Sequence, residues 1–283
     1  MKLRRLSLME WKKVVLLTVF VSMITIQIFN VHNNLLGNLV DDGYYQNVTR
    51  RAINIGTVQG LFDSLKNDFE IKSVPFMALQ VVFRAYDTLI YTRALNIVLI
   101  LVVTGLIYDM SKRKEALLFP IIPWFLNGMF LTNEIIEVVI VLFSIKFSKH
   151  SGILIGIATL FRPYAIVYTA LLKRSQIKYV LGLGLMYVLI LLYYDSFTYY
   201  LFRVLNYSVV QRLGSSNIDY VSLLFLPLMI FLGYKTKMFW YGTLAMIPLT
   251  SRMFSHYFIP CFVFFLLGYL LQLKENRVIG NKI

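Results

Sequence analysis

The run ALNIVLILVVTGLIYDM, residues 94–110, decides the class of fold. Apart from Asp109 near its end, the run has no charged side chain and is almost wholly apolar. About 17 to 25 such residues are enough for a helix to cross the roughly 30 Å hydrocarbon layer of a bilayer. We therefore expect residues 94–110 to form a membrane span.

Similar apolar runs recur along the whole chain. Of its 283 residues, 58% are hydrophobic and only 15% are charged, so lipid rather than water should surround most of it. The sequence predicts an all-α, polytopic membrane protein: a single integral membrane domain, 1–283, with about ten spans, or eight if the shortest runs do not cross. The predicted spans are 14–30, 94–110, 116–131, 134–148, 152–162, 163–173, 177–194, 220–234, 238–250 and 257–273. The short pair around Arg162-Pro163 is equally consistent with a re-entrant hairpin buried in protein.

The net charge of +14 follows the predicted topology. With the N-terminus inside, most of the 28 lysines and arginines fall on the cytoplasmic side, as the positive-inside rule requires. We therefore expect a multi-pass protein of the cell membrane with both termini in the cytoplasm, membrane lipids as partners and no nucleic acid. The basic residues left on the outer side are mostly arginines.

The only long predicted loop, residues 31–92, lies on the outer side. Apolar residues from Ile55 to Phe69 recur in it at helical spacing, which predicts an amphipathic helix at the membrane surface. A second helix is expected after Pro75. Earlier in the loop stands Asp41-Asp42-Gly43-Tyr44-Tyr45. Adjacent carboxylates repel, so such a pair often shares a proton or a cation, although a solvated turn is the alternative.

Several charged residues stand at predicted outer boundaries of spans. Glu134 begins a span, where an acid either caps the helix or contributes to a site. Glu137 lies one turn deeper in an apolar run, where an ionisable group is costly and tends to face a cavity or a partner. Arg162, Arg252 and His256 suit an anionic headgroup such as phosphate, for which arginine is better suited than lysine. Snorkelling to lipid headgroups, or a place at the interface for the histidine, is the alternative for each.

The order of these parts resembles the GT-C superfamily of glycosyltransferases that use polyprenyl-phosphate or dolichyl-phosphate sugars. The resemblance rests on the acidic pair and tyrosines at 41–45 and on three further stretches, Tyr91–Asn96, Gly156–Pro163 and Arg252–Pro260. It implies a GT-C-like fold and transfer of a sugar, mannose or another hexose, to a hydroxyl group of a glycan, lipid or protein. The transfer would take place outside the cell or in a lumen, with inversion at the anomeric carbon.

The resemblance also implies roles for individual residues. Asp41 or Asp42 would act as the catalytic base, and the same pair leaves a divalent cation such as Mg²⁺ or Mn²⁺ open as a cofactor; no other cofactor is expected. The residues expected around the donor phosphate are Arg93, Arg162, Arg252 and His256. The residues expected to contact the acceptor, or to support the residues that do, are Tyr44, Tyr45 and Glu134.

Two other classes of function compete with this prediction. A lipid or sugar transporter or flippase would usually show inverted repeats or matching broken spans in its two halves, and no repeat is evident in the sequence. Another membrane transferase, such as a glycan polymerase, would more typically carry its large loop late in the chain. Here the large loop follows the first span.

Overall fold

In the computed structural model the chain is helical wherever it is described, apart from short turns and connections. The described residues are 17–18, 20–22, 25, 50, 62, 74–82, 89–121, 133–201, 226–227, 230–231, 238–247 and 258–280. Within these ranges there is no strand, so an all-α fold is confirmed. The predicted amphipathic helix at 55–69 lies outside them except for Phe62.

Seven α-helices occupy most of the described ranges: α1 Val74–Val82, α2 Leu89–Ser111, α3 Asn133–Lys146, α4 Ser151–Phe161, α5 Arg174–Tyr193, α6 Met238–Leu244 and α7 Phe258–Gly280. Three 3₁₀ helices connect some of them: Lys114–Leu118, Ser148–His150 and Pro163–Leu171. The last is notable, because 3₁₀ runs longer than about four residues are uncommon.

Two of these helices are long and apolar enough to cross a membrane. They are Ala94–Ser111 in α2 and Arg174–Tyr193 in α5. Helices α3 and α4 reach that length only together, and the chain bends by 113° between them, as in a broken span or a re-entrant loop. Two or three spanning helices are consistent with a membrane protein.

Helices α7 and α5 differ in how much of their surface is buried. Helix α7 is almost entirely buried from Phe258 to Leu270 and packs against α2, α3 and α6. Helix α5 is exposed along Leu181, Leu185 and Leu189, whose side chains are 66%, 62% and 57% accessible. Residues four apart lie on one face of a helix, so α5 presents an apolar stripe to its surroundings. Lipid chains are the natural cover for such a stripe.

Ion pairs and hydrogen bonds connect the ends of several helices. Lys112 and Lys146 both bind the carboxylate of Asp109, with Lys146 Nζ 2.7 Å from Oδ2. The ends of α2 and α3 therefore meet. At the start of α5, Gln176 accepts a hydrogen bond from the hydroxyl group of Ser151 at 2.7 Å and donates one to the carbonyl oxygen of Ser148 at 2.6 Å. The prediction places all these positions on the cytoplasmic side.

The opposite end of α5 contacts the predicted outer loop. The rings of Phe62 and Tyr194 stack with their centroids 4.1 Å apart and their planes 8° from parallel. Phe62 is only 3% exposed. Phe62 therefore packs at the end of α5 opposite to the one that carries Gln176.

Helices α4 and α5 pack closely because two glycines face α5. A Cβ atom on Gly152 would collide with the backbone carbonyl oxygen of Gln176, and one on Gly156 would lie 2.6 Å from Cδ1 of Leu183. The spacing Gly152-x-x-x-Gly156 is the small-residue pattern that lets membrane helices approach each other.

Substituting Gly152 by alanine should therefore destabilise the fold. A backbone atom cannot move aside as a flexible side chain can. We therefore expect the free energy of unfolding to fall by about 1–3 kcal/mol, as for other overpacked sites. The measurement is the thermal unfolding midpoint of the purified protein in detergent. Gly182→Ala is the matched control, because a Cβ atom there meets nothing within 4 Å. A midpoint for Gly152→Ala as high as that of the control would contradict the packing.

Candidate functional site

Two carboxylates lie on the first turns of α3. Glu134 and Glu137 are three residues apart, so both side chains point from the same face of the helix. Glu134 is 5% exposed and Glu137 is 2% exposed. The rest of α3 buries apolar side chains such as Ile135, Val138 and Leu142. Two acids are therefore held in an otherwise apolar interior.

The cation that faces them is Arg162, at the end of α4. Its backbone is extended, with φ −143° and ψ 110°, as expected for a residue that precedes a proline. Its N–H group still donates to the carbonyl oxygen of Ala158 at 2.8 Å, which fixes the helix end. Helix α4 thus ends where the chain turns into the 3₁₀ helix Pro163–Leu171, and the side chain of Arg162 is 5% exposed.

The guanidinium group of Arg162 joins the two carboxylates. Nη1 donates to Oε2 of Glu137 at 2.5 Å, and Nη2 lies 3.2 Å from Oε1 of Glu134. An uncompensated ion is expensive in a buried position, whereas a paired one is tolerated. The three residues, which we call the carboxylate clamp, hold α3 to the tip of the hairpin formed by α4 and the 3₁₀ helix.

Aromatic side chains surround the carboxylate clamp. Tyr168 is fully buried, and its hydroxyl group lies near the carboxylate of Glu137 without the alignment of an ordinary hydrogen bond. Its ring packs against Tyr241 and Phe264, with centroids 6.0 and 5.8 Å away. The ring of Tyr164 lies 5.8 Å from Cζ of Arg162, within the range of a cation–π contact.

The carboxylate clamp is buried at the end of α3 that lies away from Lys146. Glu137 precedes Lys146 by nine residues, which corresponds to about 14 Å along a helix axis. Lys146 belongs to the exposed ion pair with Asp109. Ionisable side chains that are buried among apolar ones are costly, which makes the clamp a candidate functional site.

The structure brings together two of the residues that the sequence singles out for the site. Glu134 and Arg162 lie in the carboxylate clamp, and Glu137, expected to face a partner, completes it. Arg93 belongs to α2, but its side chain is not described. The other predicted site residues lie outside the described residues: Asp41, Asp42, Tyr44, Tyr45, Arg252 and His256.

The sequence did not point to Tyr168, and the glycines of α4 were not recognised as a packing pattern. Tyr168 stands in an apolar run with no motif around it, so only the packing of the 3₁₀ helix reveals it beside Glu137. The pattern Gly152-x-x-x-Gly156, by contrast, could have been read directly from the sequence as a packing signal.

A metal site is not evident in the part of the chain that the structure covers. No three histidine, cysteine, aspartate or glutamate side chains come close enough there to hold an ion. The thiol of Cys261 donates a hydrogen bond to the carbonyl oxygen of Phe258, 2.9 Å away. The cation predicted at Asp41 and Asp42 stays a prediction.

Comparison with known proteins found no match to any family model, curated protein or solved structure.

Proposed function

We propose that this protein is an inverting membrane glycosyltransferase of GT-C-like architecture with about ten spans. It would take a hexose from a polyprenyl-phosphate or dolichyl-phosphate donor and transfer it to a hydroxyl group of a glycan, lipid or protein. Both termini would lie in the cytoplasm, and the reaction would take place on the other side of the membrane. The proposal rests on the order of the sequence motifs, Asp41-Asp42 first and the arginines at later span boundaries.

The structural observation that supports the proposal is the carboxylate clamp. Glu134 and Arg162 were selected from separate parts of the sequence, and they meet in one buried cluster. A membrane protein with only a scaffolding role has little reason to keep three ionisable side chains in its apolar interior. The packing of Phe62 on Tyr194 adds to this, because it ties the loop that carries Asp41 and Asp42 to the helical domain.

The proposed reaction needs two contributions from the chain, a base and a cation. Asp41 or Asp42 accepts the proton of the acceptor hydroxyl group as its oxygen attacks the anomeric carbon. The bond from that carbon to the phosphate oxygen breaks, and the lipid phosphate leaves. Arginine stabilises the negative charge that develops on the phosphate.

The role of Arg162 in donor binding is constrained by its present contacts. A phosphate group that reached its guanidinium would compete with the carboxylates of Glu134 and Glu137. Within the proposal, Arg162 therefore contributes to donor binding either by exchanging its carboxylate partners for the phosphate or by fixing the positions of α3 and α4 beside the donor. Direct contacts to the phosphate would then fall mainly to Arg93, Arg252 and His256.

The proposal is tested by incubating the purified full chain with a panel of polyprenyl-phosphate sugars that includes a mannose donor. We expect one donor to be consumed and free polyprenyl phosphate to be released when a hydroxyl acceptor is present. Heat-denatured protein serves as the control. If no donor on the panel were consumed with any acceptor class, the glycosyltransferase proposal would be abandoned.

One structural feature favours a transporter or flippase as the second candidate. Transporters often build their binding sites from discontinuous helices near the middle of the membrane. Here α4 breaks at Arg162 into a 3₁₀ helix beside two buried carboxylates. The same preparation, reconstituted in vesicles, separates the two candidates: a transporter would move a lipid-linked sugar across the bilayer without releasing its phosphate.

A further inference from the structure

The end of the helical domain opposite Tyr194 carries a compact basic surface. It is formed by the connection between α3 and α4, residues 147–150, and by the start of α5, residues 173–179. Lys149, Lys173, Arg174 and Lys178 are all exposed there. We call this region the basic surface.

Hydrogen bonds hold its two segments together. The side chain of Gln176 donates to the carbonyl oxygen of Ser148 and accepts from the hydroxyl group of Ser151. Gly152 packs directly on the backbone of Gln176. Cations about 25 residues apart in the sequence are therefore kept side by side by fixed backbone, and the surface is preformed.

Among the described residues, the four cations of the basic surface have no acidic partner. Other basic residues at this end of the domain have acidic partners: Lys112 and Lys146 share Asp109, and Arg113 binds Glu115. None of the ion pairs of the described residues involves Lys149, Lys173, Arg174 or Lys178. The positive charge of the surface is thus available to a ligand.

Two aromatic side chains complete the surface. Phe147 is 47% exposed and Tyr179 is 44% exposed, although both are large and apolar. Nζ of Lys146 lies 5.4 Å from the ring centroid of Phe147, and Nζ of Lys178 lies 5.2 Å from that of Tyr179. Exposed aromatic rings beside cations are typical of the level of lipid headgroups, where the ring meets the acyl region and the cation meets phosphate.

We propose that the basic surface binds the headgroup of an anionic phospholipid. The unpaired cations complement the phosphate and the net negative charge of such a lipid, and Phe147 and Tyr179 contact the first carbons of its chains. Contact of the cations with water alone would not explain why two aromatic rings are exposed beside them. The proposal does not depend on the glycosyltransferase reaction, whose predicted site is at the other end of the domain.

The test measures lipid binding by the full chain in neutral detergent. Fluorescent phosphatidylglycerol is titrated against the protein, with fluorescent phosphatidylcholine as the zwitterionic reference. A cation close to an anionic headgroup is worth about fivefold in affinity, so Lys178→Gln should weaken phosphatidylglycerol binding about fivefold and Lys149→Gln/Lys178→Gln about 25-fold. Added salt should weaken binding to the wild type more than to the double variant.

Lys112→Gln is the charge-matched control. It removes one positive charge from the same end of the domain, but that charge is already paired with Asp109. We expect it to change phosphatidylglycerol binding by less than about twofold, as for an exposed ion pair. Equal affinity of the wild type for phosphatidylglycerol and phosphatidylcholine would overturn the proposal. It would also be overturned if Lys112→Gln weakened phosphatidylglycerol binding as much as Lys178→Gln does.

Discussion

Arg162→Ala is expected to lower the free energy of unfolding by about 3–5 kcal/mol, the usual cost of removing one partner from a buried ion pair. The reason is the environment of Glu137, whose carboxylate would stay in an apolar interior without the guanidinium group that now contacts it at 2.5 Å. The change should appear as a large fall in the thermal unfolding midpoint in detergent. Lys112→Ala is the comparison, because the side chains of its pair are 60% and 41% exposed. For that variant we expect a loss of at most about 1 kcal/mol.

Two further variants separate the loss of the ion pair from the loss of packing. Arg162→Ala combined with Glu137→Gln should recover part of the stability, since the neutral amide removes the uncompensated charge. Arg162→Lys should fall between the wild type and Arg162→Ala, because lysine keeps the charge but not the fork that reaches both glutamates. A double variant no more stable than Arg162→Ala would show that the carboxylate clamp is not held together by charge.

Asp41→Asn or Asp42→Asn is expected to lower the rate of sugar transfer by about 10²-fold or more, depending on which residue is the base. Asparagine keeps the shape of the side chain but cannot accept the proton. The other single variant should be affected less. Transfer is measured with whichever polyprenyl-phosphate sugar the wild type consumes, and donor binding is measured separately.

Folding is the control for this prediction. The unfolding midpoints of Asp41→Asn, Asp42→Asn and the double variant should stay close to that of the wild type, because the substitutions change one atom type and little volume. Transfer by the double variant at a rate near that of the wild type would rule out the proposed base and favour the transporter. If only a metal-dependent step were lost, added Mg²⁺ or Mn²⁺ should partly restore transfer.

The helices were predictable from the sequence wherever hydropathy alone determines them. The predicted span 94–110 lies within α2, and the bounds predicted at 134–148, 152–162 and 177–194 agree with those of α3, α4 and α5 to within three residues, although α3 and α4 are each too short to be a span alone. Long apolar runs bounded by charged residues leave the chain few other solutions in a membrane. The helix expected after Pro75 is α1.

Hydropathy could not predict the geometry within those runs. Residues 163–173 are predicted as a short span or as one arm of a re-entrant hairpin, and in either case the 3₁₀ helix from Pro163 to Leu171 is not predicted. Backbone hydrogen bonding of that kind leaves no trace in apolar periodicity. The same holds for the carboxylate clamp: Glu134, Glu137 and Arg162 could each be singled out, but the bend of 113° that joins α3 to α4 and makes them neighbours is a tertiary feature.

The hairpin formed by α4 and the 3₁₀ helix also bears on how the chain enters a membrane during translation. Its arms have 11 and 9 residues, too few for either to be released from the insertion channel as an independent span. The glycine face of α4 is covered only when α5 emerges, and Glu137 is synthesised before Arg162. We therefore expect α3, α4 and the 3₁₀ helix to leave the channel together with α5 rather than one by one.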